Sequence, residues 1–217
     1  MRDWPGILKR LRDRLAGQNL PSVSIVAQAF PKDPFRILVS TILSLRTKDK
    51  VTLEASVRLL AKAPNPEALL RLSESEIQTL IYPVGFYRIK AKNLKEISRR
   101  LLAQFGGQVP RQKEALLTLP GVGQKTANLV LNLGFGIPAI CVDTHVHRIS
   151  NRLGWVCTRT PEQTEQALMQ ILPQEFWIPL NEILVAYGQQ VCTPQSPFCS
   201  TCPLSTECPK KGVKRHR

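Results

Sequence analysis

Apolar residues recur at three- and four-residue spacing over Ile7 to Leu15, Phe35 to Leu45, Thr52 to Ala61, Pro66 to Arg71, Glu74 to Tyr82 and Ile89 to Phe105. That spacing lines one face of an α-helix, and few stretches alternate in the manner of strands. Helix boundaries are punctuated as well. In Thr160-Pro161-Glu162-Gln163 the Thr serves as a cap, the Pro suits the first turn and the Gln completes a capping box. The pattern predicts an all-α protein. A chain of 217 residues buries roughly 70% of its unfolded surface, enough for a core in one unit or two small lobes without disulfides.

Charge narrows the partners. Lys and Arg outnumber Asp and Glu by 30 to 16, a net charge of +14 that attracts polyanions, nucleic acid first among them. A merely solvated basic surface produces the same excess, so the charge needs a motif beside it. The start, Met1-Arg-Asp-Trp-Pro, has no apolar signal core, and no apolar run approaches the ~18 residues that span a bilayer. A soluble protein of a prokaryotic cytoplasm, with no membrane partner, is the expectation. Residues Lys210 to Arg217, with five Lys or Arg in eight, read as a mobile basic end.

Leu119-Pro120-Gly121-Val122-Gly123 separates a helical segment, Pro110 to Leu117, from another that runs from Gln124 to about Leu133. The two glycines permit positive φ and close approach of another chain. The amides around Gly121, Val122, Gly123 and Gln124 stand at a helix start, where they bind phosphate oxygens without reading bases. A nucleotide-binding P-loop is excluded, since it needs Gly directly before Lys and a strand before the loop. A plain helix–helix turn is the alternative.

Lys125 lies in the first turn after this hairpin, where the positive helix dipole disfavours a protonated amine. A neutral amine is what Schiff-base chemistry at a sugar C1′ requires. Eighteen residues on, the apolar run Ala139 to Val142 delivers Asp143 to the start of Thr144-His145-Val146-His147-Arg148. Asp143 is an expected N-cap, and a carboxylate fixed by amides also stabilises positive charge developing at C1′. His145 and His147 are two apart on a helix and so form a poor chelate; they read as structural or phosphate-facing.

Cys192-x6-Cys199-x2-Cys202-x5-Cys208 places four thiols in 17 residues broken by Pro194, Pro197 and Pro203. One C-x-x-C flanked by longer gaps favours a [4Fe–4S] cluster over zinc, whose sites pair short spacings. Cys141 and Cys157 lie apart from this run and read as small buried hydrophobes.

Together, Leu119-Pro-Gly-Val-Gly-Gln-Lys-Thr-Ala, Val142-Asp-Thr-His-Val-His-Arg and the four-cysteine spacing resemble the endonuclease III family of helix-hairpin-helix DNA glycosylases. The likeness runs from about Phe35 through Leu43-Ser-Leu-Arg-Thr-Lys-Asp and Ile81-Tyr-Pro-Val-Gly-Phe-Tyr-Arg to Cys208. It implies two helical lobes: a six-helix barrel over residues 25–134, and an iron–sulfur lobe from residues 1–24 and 135–217, with damaged duplex DNA in the cleft between them. It implies that Lys125 is the Schiff-base nucleophile and Asp143 the catalytic carboxylate of a monomeric, nucleoid-associated glycosylase and lyase acting on oxidised pyrimidines. Cys192, Cys199, Cys202 and Cys208 would then ligate the [4Fe–4S] cluster, and His145 would lie on the DNA side. Such enzymes flip the target nucleotide out and fill the gap with side chains. The gap-filling positions correspond to Arg46 and to Phe86 with neighbouring Tyr87; the family's bacterial members usually carry Gln at the first.

Overall fold

The periodic segments fold as helices, and the punctuation sets their ends. The structure, a computed structural model, describes residues 2–17 and 20–217. Among them it contains twelve α-helices and two 3₁₀ turns, with no strand. The helices are α1 (Trp4–Arg14), α2 (Ser22–Ala29), α3 (Pro34–Ser44), α4 (Asp49–Lys62), α5 (Pro66–Arg71), α6 (Glu74–Ile81), α7 (Tyr87–Phe105), α8 (Lys113–Leu117), α9 (Gln124–Phe135), α10 (Thr144–Arg152), α11 (Pro161–Ile171) and α12 (Trp177–Gln190). No helix among the described residues is long and apolar enough to cross a membrane.

Side chains cap six of these helices. Asp3, Asp33, Asn65, Ser73, Asp143 and Thr160 each accept from an amide in the first turn. The Thr160 cap forms, but Gln163 does not reciprocate: its side chain accepts from the amide of Arg159 instead, 2.9 Å away. The reciprocal capping box occurs at Ser73 and Glu76. Helix α8 starts only after Gln112, whose backbone is extended, so the predicted helix over Pro110 to Leu117 is shorter by three residues. Helices α2 and α12 lie outside the periodic segments. In α12, Leu180, Asn181 and all of Ile183 to Gly188 are buried, and a helix apolar on every side has no polar face to mark its period.

The chain divides into two compact units, one of Pro21–Ile137 and the other of Met1–Leu20 with Pro138–Arg217. In the first, α3 is the central helix. Every residue from Ile37 to Leu43 is buried, and α2, α4, α7 and α9 pack around it. Helices α3 and α9 approach so closely that a Cβ at Gly134 would stand 2.9 Å from Pro34 Cβ and 3.0 Å from its Cα.

In the second unit, α1, α10, α11 and α12 enclose a core that includes Trp4, Leu8, Leu11, Val146, Ile149, Leu168, Leu184 and Tyr187. The basic tail is folded onto this unit rather than forming a mobile end. Arg217 stacks 3.8 Å over the Phe198 ring and donates to the Ser196 carbonyl, while its amide donates to Pro197 O at 2.8 Å. Cys141 is buried as expected, whereas Cys157 is exposed, corrected by its place in the loop beyond α10.

On an exposed helix, Gly→Ala gains about 1 kcal/mol of helix propensity. At Gly134 the clash with the Pro34 backbone reverses the sign, and Gly134→Ala is expected to destabilise the chain by about 1–3 kcal/mol in urea unfolding. A gain in stability would contradict this close crossing.

Candidate active site

The hairpin between α8 and α9 is built on glycine for two separate reasons. Gly121 has φ of +78°, and a Cβ there would stand 2.8 Å from Asn93 Nδ2 of α7. Val122 turns inward and is buried, and its amide donates to Leu119 O at 3.1 Å, closing the turn. Gly123 is then the N-cap of α9 with no side chain to offer, and Gly123 and Gln124 are exposed. The first amides of α9 therefore face outward at the positive end of a twelve-residue helix. Lys125 follows in that first turn, half-buried.

Asp143 caps α10, and the geometry of the cap matters. Both hydrogen bonds, from His145 N at 2.8 Å and Val146 N at 2.9 Å, fall on Oδ1. Oδ2 takes part in neither, so the cap fixes the carboxylate while one oxygen stays outside it. His145 is half-buried, with Nδ1 3.1 Å from Arg148 Nη2, and α10 packs on α12 where a Cβ on Gly188 would meet that ring nitrogen at 2.4 Å. His147 Nδ1 lies 2.6 Å from Thr164 Oγ1. Among the described residues neither histidine belongs to a group of three His, Cys, Asp or Glu that could hold an ion.

Arg46 and Phe86, forty residues apart in sequence, meet in the Pro21–Ile137 unit. The Arg46 guanidinium lies 4.8 Å over the Phe86 ring, and both residues are exposed, Phe86 by 54%. Both also adopt left-handed backbone, φ of +55° and +58°, at a cost of about 1–2 kcal/mol each. Tyr87 is half-buried, edge-on to Tyr82 with ring centroids 5.5 Å apart.

Behind this pair stands Lys90, which the sequence reading passed over. It is 6% exposed and donates to Leu43 O at 2.9 Å, Leu45 O at 2.5 Å and Thr47 Oγ1 at 3.2 Å. Burial lowers its pKa to about 8. The sequence carries a signal for it: Lys90, Leu94, Ile97 and Leu101 form the buried stripe of α7, and a lysine in an apolar stripe needs acceptors waiting for it.

Cys192, Cys199, Cys202 and Cys208 all line one cavity, walled by Ile149, Leu153, Val191 and Phe198. Donors point at three of the sulfurs: Tyr187 Oη at 2.9 Å from Cys202, Arg152 Nη1 at 3.5 Å from Cys192 and Lys210 N at 3.3 Å from Cys208. Burial pushes the Cys199 and Cys208 thiols above their ordinary pKa. The four sulfurs ring the cavity, and among the described residues no group of three His, Cys, Asp or Glu gathers closely enough to hold a single ion.

Residues 39–174 match the model of the HhH-GPD superfamily base excision DNA repair proteins. Endonuclease III of Thermotoga maritima is 50% identical over 188 residues, spanning 84% of this chain and 88% of that protein. A solved structure of a trapped endonuclease III–DNA covalent intermediate is 32% identical, covers 97% of each chain and superposes with a TM-score of 0.80. A non-covalent endonuclease III–DNA complex, also 32% identical, covers 95% of this chain and 94% of the other with a TM-score of 0.84. With the hairpin, the capped carboxylate and the cysteine cavity in place, the chain belongs to the HhH-GPD superfamily of base excision DNA repair proteins and, within it, to the endonuclease III family.

Proposed function

We propose that this chain removes oxidised pyrimidines from duplex DNA through an amine nucleophile, Lys125, and then cuts the strand 3′ to the vacated sugar. As a member of the endonuclease III family it is a DNA-binding glycosylase with lyase activity in base excision repair. The observation that carries the assignment of Lys125 is its place in the first turn of α9, directly behind an uncapped, glycine-lined helix start. Backbone amides of Gly121, Gly123 and Gln124 hold phosphate oxygens there and set the strand beside the amine, whereas the Val122 amide, expected among them, is taken by Leu119 O inside the turn. The covalent DNA intermediate trapped in a 32% identical endonuclease III supports covalent chemistry.

The amine nitrogen of Lys125 bonds to C1′ as the glycosidic bond breaks, and the base departs with the bonding pair and takes up a proton. The nitrogen, now bearing two protons and a positive charge, gives up one of them; the C1′–O4′ bond then breaks as O4′ takes up a proton, leaving a protonated Schiff base between the nitrogen and C1′. A C2′ proton is then removed, and the C3′–O bond breaks, which cuts the strand. Asp143 Oδ2 stabilises the positive charge that grows at C1′ and accepts a proton, while Oδ1 remains on the α10 amides. Extruding the nucleotide leaves a gap in the stack. The exposed Arg46–Phe86 pair suits it, since an aromatic face carrying a guanidinium stacks on any base, with Tyr87 beside it in the chain, edge-on to Tyr82. His145, half-buried at the start of α10 with Nδ1 beside Arg148, would face the strand from that end.

Cys192, Cys199, Cys202 and Cys208 hold a [4Fe–4S] cluster. A ring of sulfurs around a partly apolar cavity, with N–H and O–H donors aimed at them, fits a multi-iron cluster better than one ion. The cluster would supply metal–sulfur bonds joining Cys192, just past the end of α12, to the loop that carries Cys199, Cys202 and Cys208, and no step of base removal.

Borohydride is expected to trap the wild-type chain covalently on damaged DNA, and Lys125→Ala to abolish trapping; undiminished trapping would sink the assignment. Asp143→Asn keeps a good N-cap and removes the charge. It should melt near the wild-type temperature yet turn over roughly 10²- to 10⁴-fold more slowly, and a loss of stability matching the loss of activity would reduce Asp143 to a cap. Purified protein should be brown with about four irons per chain, and Cys202→Ser should lower both iron content and melting temperature. A colourless protein holding one zinc would refute the cluster.

A further inference from the structure

Lys90 is the most deeply buried ammonium in the Pro21–Ile137 unit, and the chemistry at the sugar has no use for it. Its three N–H donors meet three acceptors, the carbonyls of Leu43 and Leu45 and the hydroxyl of Thr47. These acceptors flank Arg46 on both sides. Thr47 in turn completes the connection to the second loop. Its hydroxyl oxygen accepts from Gly85 N at 3.1 Å as well as from Lys90, and it lies 3.3 Å from Leu45 O, to which it donates. A hydroxyl offers one donor and two acceptor sites, and all three are occupied. The loops also touch directly, since a Cβ on Gly85 would stand 2.5 Å from Arg46 O.

This network sits under two residues whose backbones are both left-handed and whose side chains are both exposed and stacked on each other. Such backbones persist only when their surroundings hold them. We propose that Lys90, acting through Thr47, is a positioning residue that locks the Leu45–Thr47 and Gly85–Phe86 loops into one rigid wedge, so that Arg46 and Phe86 enter the DNA stack together. The inference rests on the reading of Arg46 and Phe86 as the residues that occupy the gap. Lys90 and Thr47 touch no DNA in this account; they act on the order of the two side chains that do.

The test separates extrusion from chemistry by using one oxidised pyrimidine in two settings. In a fully paired duplex the base must be unstacked and the gap occupied, whereas in a short unpaired bubble that work is already done. Lys90→Met removes the ammonium at similar length, Thr47→Val removes the hydroxyl at similar shape, and Thr47→Ser restores it. Lys90→Met and Thr47→Val are expected to slow nicking of the paired substrate roughly 10- to 100-fold while leaving the bubble substrate at the wild-type rate. They should also lose the fluorescence rise of 2-aminopurine placed opposite the lesion, and Thr47→Ser should behave as wild type on both substrates. Equal loss on the two substrates, or no loss on either, overturns the inference. If Lys90→Met fails to fold, Thr47→Val and its rescue by Thr47→Ser decide the matter. A wild-type chain inactive on both substrates would instead overturn the assigned function.

Discussion

The first amides of an α-helix have no carbonyl behind them within the helix, and the way each helix start meets that demand decides what it can do. Six helices answer with a side chain of their own, Asp3, Asp33, Asn65, Ser73, Asp143 or Thr160. Helix α9 answers with glycine, which brings no side-chain cap of its own. Asp143 sits between the two cases. It satisfies α10 with Oδ1 alone, and Oδ2 takes no part in the cap.

Helix α10 also joins two parts of the site that look unrelated in sequence. Asp143 stands at its start and Arg152 ends it, nine residues or roughly 13 Å later. Arg152 is buried, donates to Thr193 O and Pro194 O, and reaches Cys192 Sγ, while its own carbonyl accepts from Lys211 N and lies 3.5 Å from Cys208 Sγ. The loop that gathers the cysteines is thereby tied to the helix that presents the carboxylate. The cysteine cavity and the Asp143 cap thus lie at opposite ends of one rigid rod.

Legibility followed the range of the interactions. Local ones were readable: the glycines and Lys125 of the hairpin, Asp143 as a cap, the cysteine run, and helices with one polar face. Contacts made across the fold were not. Nothing near Arg46 announces that it lies over Phe86, and the docking of Arg217 on Phe198 turned an expected loose end into a packed one. Cys157 misled because a lone thiol carries no neighbour pattern that tells buried from exposed. Lys90 lay between the extremes: its place in the α7 stripe is visible in the sequence, but its acceptors come from residues more than forty positions away. Helix α12 was hidden for the opposite reason, having too little polar surface to show a period.

The carbonyl of Arg46 occupies the space that any side chain at Gly85 would need. The two loops are therefore sterically one object. A bulkier residue at position 85 would push Arg46 out of register, and a shift of the Arg46 loop would strand Phe86, so neither loop can drift alone. Exchanging a single loop would bring in half of a matched pair, so any redesign of this face must vary both loops at once.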